Sequence, residues 1–232
     1  MSSVLRSSRE PLVRIVDDDA SLREALGLVL TVGRLDWAGY ESAEAFLERD
    51  DLRRPGVVVL DLRMTGMSGL ACQAKLAERA SDLPVLFLTG HGDATAAVRA
   101  LKAGAVDFLQ KPVGAEKLLS ACRRLTAWHL ALRAENEERE HARTLLATLT
   151  PREREAADYT ARGWPNRTIA EEMGVSEQAV KIHRSNIYRK LGVKGPVDVA
   201  ELMRKADPDR RFAQAGLRTL CVLADDTPTE EK

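Results

Sequence analysis

Four apolar runs in the first half of this chain each end on a polar group of particular chemistry. Leu12-Val13-Arg14-Ile15-Val16 leads into Asp17-Asp18-Asp19, and Val57-Val58-Val59-Leu60 leads into Asp61. Val85-Leu86-Phe87-Leu88 leads into Thr89, and Val106-Asp107-Phe108-Leu109-Gln110 leads into Lys111-Pro112. Short runs rich in β-branched residues, bounded by turn residues and separated by helical patterns, are predicted to be strands of a parallel sheet. In such open sheets ligands bind just outside the carboxyl ends of the strands. The pattern therefore gathers acids, a hydroxyl and an ammonium at one crevice, a set that can bind a divalent metal and handle a phosphoryl group.

The length of 232 residues allows one large or two small domains. Lys plus Arg number 35, as do Asp plus Glu, so any affinity for nucleic acid must come from a local basic patch. Cys72, Cys122 and Cys221 are odd in number and lie far apart without metal-ligand spacing, as expected of inert thiols in a reducing compartment. No stretch is long and apolar enough to span a bilayer, and Met1 to Arg9 has no apolar core of a signal peptide. A cytoplasmic protein without a membrane partner is expected.

From Leu12 to about Leu132 strand and helix patterns alternate. Leu22, Ala25, Leu26, Val29 and Leu30 fall at helical spacing, Asp36 to Tyr40 is a weak second strand, and Ser42 caps a short helix. Leu62 to Gly69 is a loop opening a helix through about Arg79, and Asp93 begins another that ends near Ala103, with Gly104 as its stop. Gly114 onward gives a fifth helix. Five βα units predict a flavodoxin-like, doubly wound α/β domain with strand order 2-1-3-4-5. Ala121 to Leu149 contains no Gly or Pro and carries a charged run from Arg133 to Arg143, which predicts a solvated helical linker; the heptads are too few for a coiled coil. Thr150-Pro151-Arg152-Glu153 then signals a helix start with a capping box. Four helices follow, over Pro151–Arg162, Asn166–Met173, Glu177–Leu191 and Pro196–Lys205, with Gly163, Gly174 and Gly192 at the breaks.

Phosphoryl transfer onto a carboxylate needs a nucleophile, a metal to screen oxyanion charge, and donors for the remaining oxygens. Asp17, Asp18 and Asp61 supply oxygen ligands suited to Mg²⁺, and clustered carboxylates are costly without a cation. Lys111 and Thr89 supply a charge and a hydroxyl. The segments Asp17-Asp18, Asp61-Leu62-Arg63-Met64, Thr89-Gly90 and Lys111-Pro112 resemble a two-component response-regulator receiver domain over about residues 11–130. That resemblance implies Asp61 as phosphoacceptor, and Asp18, Asp61 and the Arg63 backbone carbonyl as Mg²⁺ ligands, with Asp17 acting mainly through water. It further implies Thr89 and Lys111 at the phosphoryl group and Phe108 as an aromatic switch. Thr65 departs from the family's usual Pro, and loss of the fixed φ predicts a slightly looser loop. Asp19 is expected to cap the first helix.

Asn166 to Leu191 has the pattern helix, Gly174-centred turn, helix. In the second helix Ala179, Val180, His183, Ile187 and Leu191 recur at three- and four-residue steps and should face the core. Gln178, Lys181, Ile182, Ser185 and Arg189 fall largely on the opposite face. From Glu177 to Lys194 five cations (Lys181, Arg184, Arg189, Lys190 and Lys194) stand against the lone acid Glu177, the electrostatic footprint of nucleic-acid binding. Leu149 to Glu155, Asn166 to Ala170 and Val180 to Gly192 resemble the LuxR-type helix-turn-helix over about 148–206. The resemblance implies a helix in the major groove of double-stranded promoter DNA, bound as a homodimer. It places Lys181, Ile182 and Ser185 at base edges and Ser176, Arg184, Arg189 and Lys190 at phosphates, with Gln178 beside them. Trp164 departs from the usual small polar residue and is expected to pack at the helix entry; His183 is expected in the core or bonded to backbone.

The combined expectation is a flavodoxin-like (βα)5 receiver domain over 11–130, a helical linker over 131–147, an all-α four-helix helix-turn-helix domain over 148–206 and a partly disordered tail over 207–232. The resemblance to the NarL/FixJ type of response regulator implies a sensor histidine kinase as phosphate donor and admits RNA polymerase as a partner. It implies no enzyme beyond the receiver's own phosphoryl transfer and dephosphorylation. A phosphohydrolase using Asp17 and Asp19 fits the Asp-x-Asp spacing, but Ala20-Ser21 stand where that scheme needs a threonine, and it leaves the basic helix unexplained. A DNA-binding protein whose receiver dimerises without phosphorylation also remains open.

Overall fold

A computed structural model describes residues 10–90 and 107–207. The expected helix at Asp93–Ala103, the first residue of the Val106 strand and the tail beyond residue 207 lie outside these residues. The described chain divides into two compact units, one running to Leu132 and one starting at Arg133. No helix among the described residues is long and apolar enough to cross a membrane.

In the first unit five parallel strands, β1 (Leu12–Val16), β2 (Trp37–Tyr40), β3 (Gly56–Asp61), β4 (Val85–Thr89) and β5 (Asp107–Gln110), lie in the order β2-β1-β3-β4-β5. Every residue of β3 is buried, as a strand covered on both faces requires. Val58 and Leu60 pack on one side with Phe46, Leu76 and Phe87. Val57 and Val59 pack on the other with Leu30, Leu88, Leu118 and Leu125. The covering helices include α1 (Ala20–Val32), α2 (Ala43–Arg49) and α3 (Gly69–Glu78). Asp19, Ser42 and Ser68 cap them, each side chain accepting N–H groups of the first turn.

One buried polar group had no precursor in the pattern reading. Arg14, in the middle of β1, is fully buried. Its Nε donates to Asp50 Oδ2 at 2.7 Å, and its guanidinium also donates to the carbonyls of Leu12, Asp51 and Arg54. Tyr40 donates its hydroxyl to the other oxygen of Asp50 at 2.6 Å.

Helix α4 (Ala115–Ala147) is continuous over 33 residues. Its early part buries Leu118, Ala121, Cys122 and Leu125 against the sheet. Near its end Ala142 and Leu146 enter the core of the second unit, beside Leu149, Ala156, Ile169, Val180 and Ile187. The solvated linker expected over 131–147 is thus corrected at these positions. Two small or branched apolar residues four apart on the charged stretch form an inward stripe.

The second unit adds α5 (Pro151–Ala161), α6 (Asn166–Met173), α7 (Glu177–Leu191) and α8 (Pro196–Ala206). Thr150 and Glu153 form the expected capping box. Gly174, at φ 65°, ends α6 in the left-handed conformation that turns the chain into α7.

Candidate functional site

Strand register sets the heights of the groups in the crevice. Val16 is level with Leu60, so Asp17 and Asp61 come next at the same height on adjacent strands. Thr89 is level with Gln110, so Lys111 follows at the edge of β5 and its long stem reaches back over the strand ends. The start of α3 fits closely against this edge. A Cβ on Gly69 would lie 2.3 Å from the Asp61 carbonyl oxygen, so only glycine permits the approach.

Asp17, Asp18, Asp61 and Lys111 converge. Lys111 Nζ donates to Asp17 Oδ2 at 2.8 Å and lies 3.0 Å from Asp61 Oδ2. Asp17 is fully buried, and its Oδ1 accepts the Asp19 N–H at 2.9 Å. Burial pushes the Asp61 carboxyl above its ordinary range; the hydrogen bond and charge of Lys111 pull it back, while Asp17 adds to the rise. Burial disfavours the Lys111 ammonium, yet its bonds to Asp17 and Asp61 outweigh that and raise its pKa. The Arg63 backbone N–H also bonds to Asp61. Thr89 is buried at the end of β4, and Phe108 on β5 is 41% exposed.

Asp18 is exposed, and Thr65 in the loop after β3 is tied to it. The Thr65 N–H and Oγ1–H both donate to Asp18 Oδ2 at 2.7 Å. These bonds hold the Asp18 carboxyl below its ordinary pKa range, the hydroxyl contributing most. Proline at this position would supply neither donor. The loop is held again two residues on, where the Met67 N–H donates to Glu44 Oε1 at 2.9 Å.

Asp17, Asp18 and Asp61 each present a carboxylate oxygen, and these lie within 4.8 Å of one another. Three hard oxygen donors against one ammonium leave a local negative charge, and that donor set suits Mg²⁺ or a similar hard divalent cation.

In the second unit α7 carries the basic face. Gln178, Lys181, Ile182, Ser185 and Arg189 are exposed, while Val180, Ile187 and Leu191 are buried and Ala179 and His183 are half-buried. Ile182 stands 54% exposed on this face. Ser176 Oγ accepts the Ala179 N–H as the N-cap of α7. Two residues expected at phosphates make hydrogen bonds within the unit. Arg184 donates to Asn166 Oδ1 at 2.7 Å and to the Tyr188 hydroxyl. Lys190 donates to buried Glu153 at 2.6 Å and to the Thr148 carbonyl. Apart from Tyr188, four residues on, their partners lie 18 to 42 residues away, beyond the reach of local sequence reasoning. Trp164 packs as expected, stacked on Tyr159 with ring centroids 4.9 Å apart.

Both units are similar to known protein families. Residues 13–123 match the family described as response regulator receiver domain, and residues 147–203 match bacterial regulatory proteins of the luxR family. The transcriptional regulatory protein TdiR of Thauera aromatica is 39% identical over 83% of this chain and 85% of its own length. The transcriptional regulatory protein FixJ of Rhizobium meliloti is 37% identical over 78% of this chain and 89% of its own. The solved structure of the response regulator StyR superposes with a TM-score of 0.76 at 38% identity, covering 84% of this chain and 99% of StyR. The chain belongs to the two-component response regulators that join a receiver domain to a LuxR-type helix-turn-helix.

Proposed function

We propose that Asp61 accepts one phosphoryl group from a sensor histidine kinase, in the presence of Mg²⁺, and that the phosphorylated chain binds promoter DNA as a homodimer. The observation that carries this reading is the placement of Lys111 Nζ within 3.0 Å of Asp61 and 2.8 Å of Asp17, beside the oxygen cluster. An Asp61 oxygen attacks phosphorus of the phosphohistidine. The P–N bond breaks as the P–O bond forms, and the leaving imidazole takes a proton. Lys111, already aimed at Asp61, pairs with one phosphoryl oxygen, and the Thr89 hydroxyl donates to another. Asp18, Asp61 and the Arg63 backbone carbonyl, with Asp17 mainly through water, would hold Mg²⁺, which would neutralise phosphoryl charge when bound. Phe108, exposed on the strand beside Thr89, is the group whose turning inward reports that Thr89 has moved. The chemistry stops at the acyl phosphate and its hydrolysis, so the receiver is a switch and not a turnover enzyme.

On α7, Lys181, Ile182 and Ser185 present a cation, an apolar branch and a hydroxyl to base edges in the major groove, with Gln178 beside them and Arg189 at a phosphate. Ile182 suits a thymine methyl group.

The test is incubation of the full chain with acetyl phosphate and Mg²⁺, read by intact mass and by size-exclusion chromatography. A mass gain of one phosphoryl group and a shift to dimer in the wild type, both lost in Asp61→Asn, are expected. Equal labelling and dimerisation of Asp61→Asn overturns the reading.

A further inference from the structure

Asp18 poses a problem that its surroundings answer. It is an exposed carboxylate, and an unheld aspartate in water samples several rotamers, most of which carry its oxygens away from Asp17 and Asp61. In the structure it is not left to sample them. Thr65 donates twice to a single oxygen of Asp18, from backbone and side chain, across 47 residues of sequence. Held in this way, the Asp18 carboxylate offers an oxygen to the cluster shared with Asp17 and Asp61. Thr65 is itself fixed: the Met67 N–H donates to Glu44, and the Gly69 N–H donates to the Leu62 carbonyl at 3.2 Å. The clasp is therefore built into a loop anchored on both sides.

We propose that Thr65 is a positioning residue for the cation site, holding Asp18 in the ligating arrangement and thereby setting the chain's affinity for a divalent cation. This rests on the reading of the acidic cluster as the metal site. A carboxylate ligand works best when it is hydrogen-bonded to a fixed donor, because its freedom is then already restricted before the metal arrives. The backbone N–H at position 65 is available because the residue is not proline, and the hydroxyl adds a second donor of the same reach. Loops with proline there must orient the equivalent carboxylate by other means; in this chain the orientation is done by threonine.

The prediction is specific to the hydroxyl. Thr65→Val keeps the shape and the backbone donor and removes only Oγ1, whereas Thr65→Ser keeps both donors. The experiment titrates the full-length chain with Mn²⁺, follows free Mn²⁺ by electron paramagnetic resonance, and displaces the bound ion with Mg²⁺. No phosphodonor is present, so the readout is independent of phosphorylation. Thermal melting without metal is measured in parallel. Thr65→Val is expected to weaken binding of both ions roughly tenfold, at the lower end of the effect of removing a partner of a metal ligand. Thr65→Ser is expected to restore most of the affinity, and metal-free melting is expected to change little. Wild-type affinity in Thr65→Val, or tighter binding, overturns the proposal while leaving the metal site standing. A loss matched by an equal fall in metal-free stability and not rescued by serine also overturns it. Failure of the wild type to bind either ion overturns the proposal and the metal-site reading together.

Discussion

Lys190 on α7 and Glu153 in the first turn of α5 form a close ion pair, Nζ to Oε2 at 2.6 Å, while Glu153 also closes the capping box on Thr150. One carboxylate thus starts a helix and pins the basic helix α7 to it. The Lys190 hydrogen bond, with that of the Thr150 backbone, pushes the Glu153 carboxyl from its ordinary 4.5 down to about 2. A depressed pKa stabilises the folded state above the unfolded value, and the contribution fades as pH falls from about 4.5 toward 2. Glu153→Gln should therefore melt at a lower temperature than the wild type at pH 7, with the difference narrowing below about pH 4. Circular dichroism melts across that range check this; a pH-independent difference would contradict it.

Removing the ammonium from the crevice should expose the cost of the carboxylates it holds. Lys111→Met leaves buried Asp17 without its 2.8 Å partner and Asp61 without its 3.0 Å partner. The metal-free protein should melt lower than the wild type. Millimolar Mg²⁺ should stabilise Lys111→Met more than it stabilises the wild type, because a ligand that binds only the folded state raises stability with its affinity. Calorimetry with and without Mg²⁺ measures both effects.

The DNA face divides by function. Lys181→Ala and Arg189→Ala should weaken duplex binding and each reduce the slope of log affinity against log salt by roughly one. Arg184→Ala should instead lower the melting temperature, since Arg184 holds Asn166 and Tyr188. Fluorescence anisotropy on a labelled duplex at several salt concentrations, paired with melting curves, separates the two classes.

The buried pair in the first unit gives a stability prediction far from either site. Asp50→Ala strands the fully buried Arg14 guanidinium and removes the acceptor of Tyr40. Breaking a buried pair on one side costs about 3–5 kcal/mol, so the midpoint of urea unfolding should fall by that amount divided by the slope. A change near zero would mean that the carbonyls around Arg14 suffice.

The order of the strands and the identity of Asp61, Thr89 and Lys111 were legible because they follow from local periodicity and from where strands stop. The inward face of α7 was legible for the same reason. From sequence Thr65 is only a residue that is not proline, since nothing local says that its hydroxyl meets Asp18 across 47 residues. Arg184 and Lys190 look from sequence like any other cations on a basic helix. Only the packing of α7 against α5 and α6 shows that one is tied to Glu153 and the other to Asn166. Arg14 reads as an interruption in an apolar strand, and its partners are supplied by the loop from Asp50 to Arg54.

Helix α4 lends residues to two separate hydrophobic cores: Leu118 to Leu125 to one, Ala142 and Leu146 to the other. The family boundaries at residues 123 and 147 therefore do not coincide with places where the polypeptide can be severed without loss. A DNA-binding fragment that starts at Thr148 would leave an open hollow where Ala142 and Leu146 belong. One that starts near Arg133 keeps the hollow filled. Chimeras that exchange receivers between regulators should be joined upstream of Ala142, so that the second module brings its own plug.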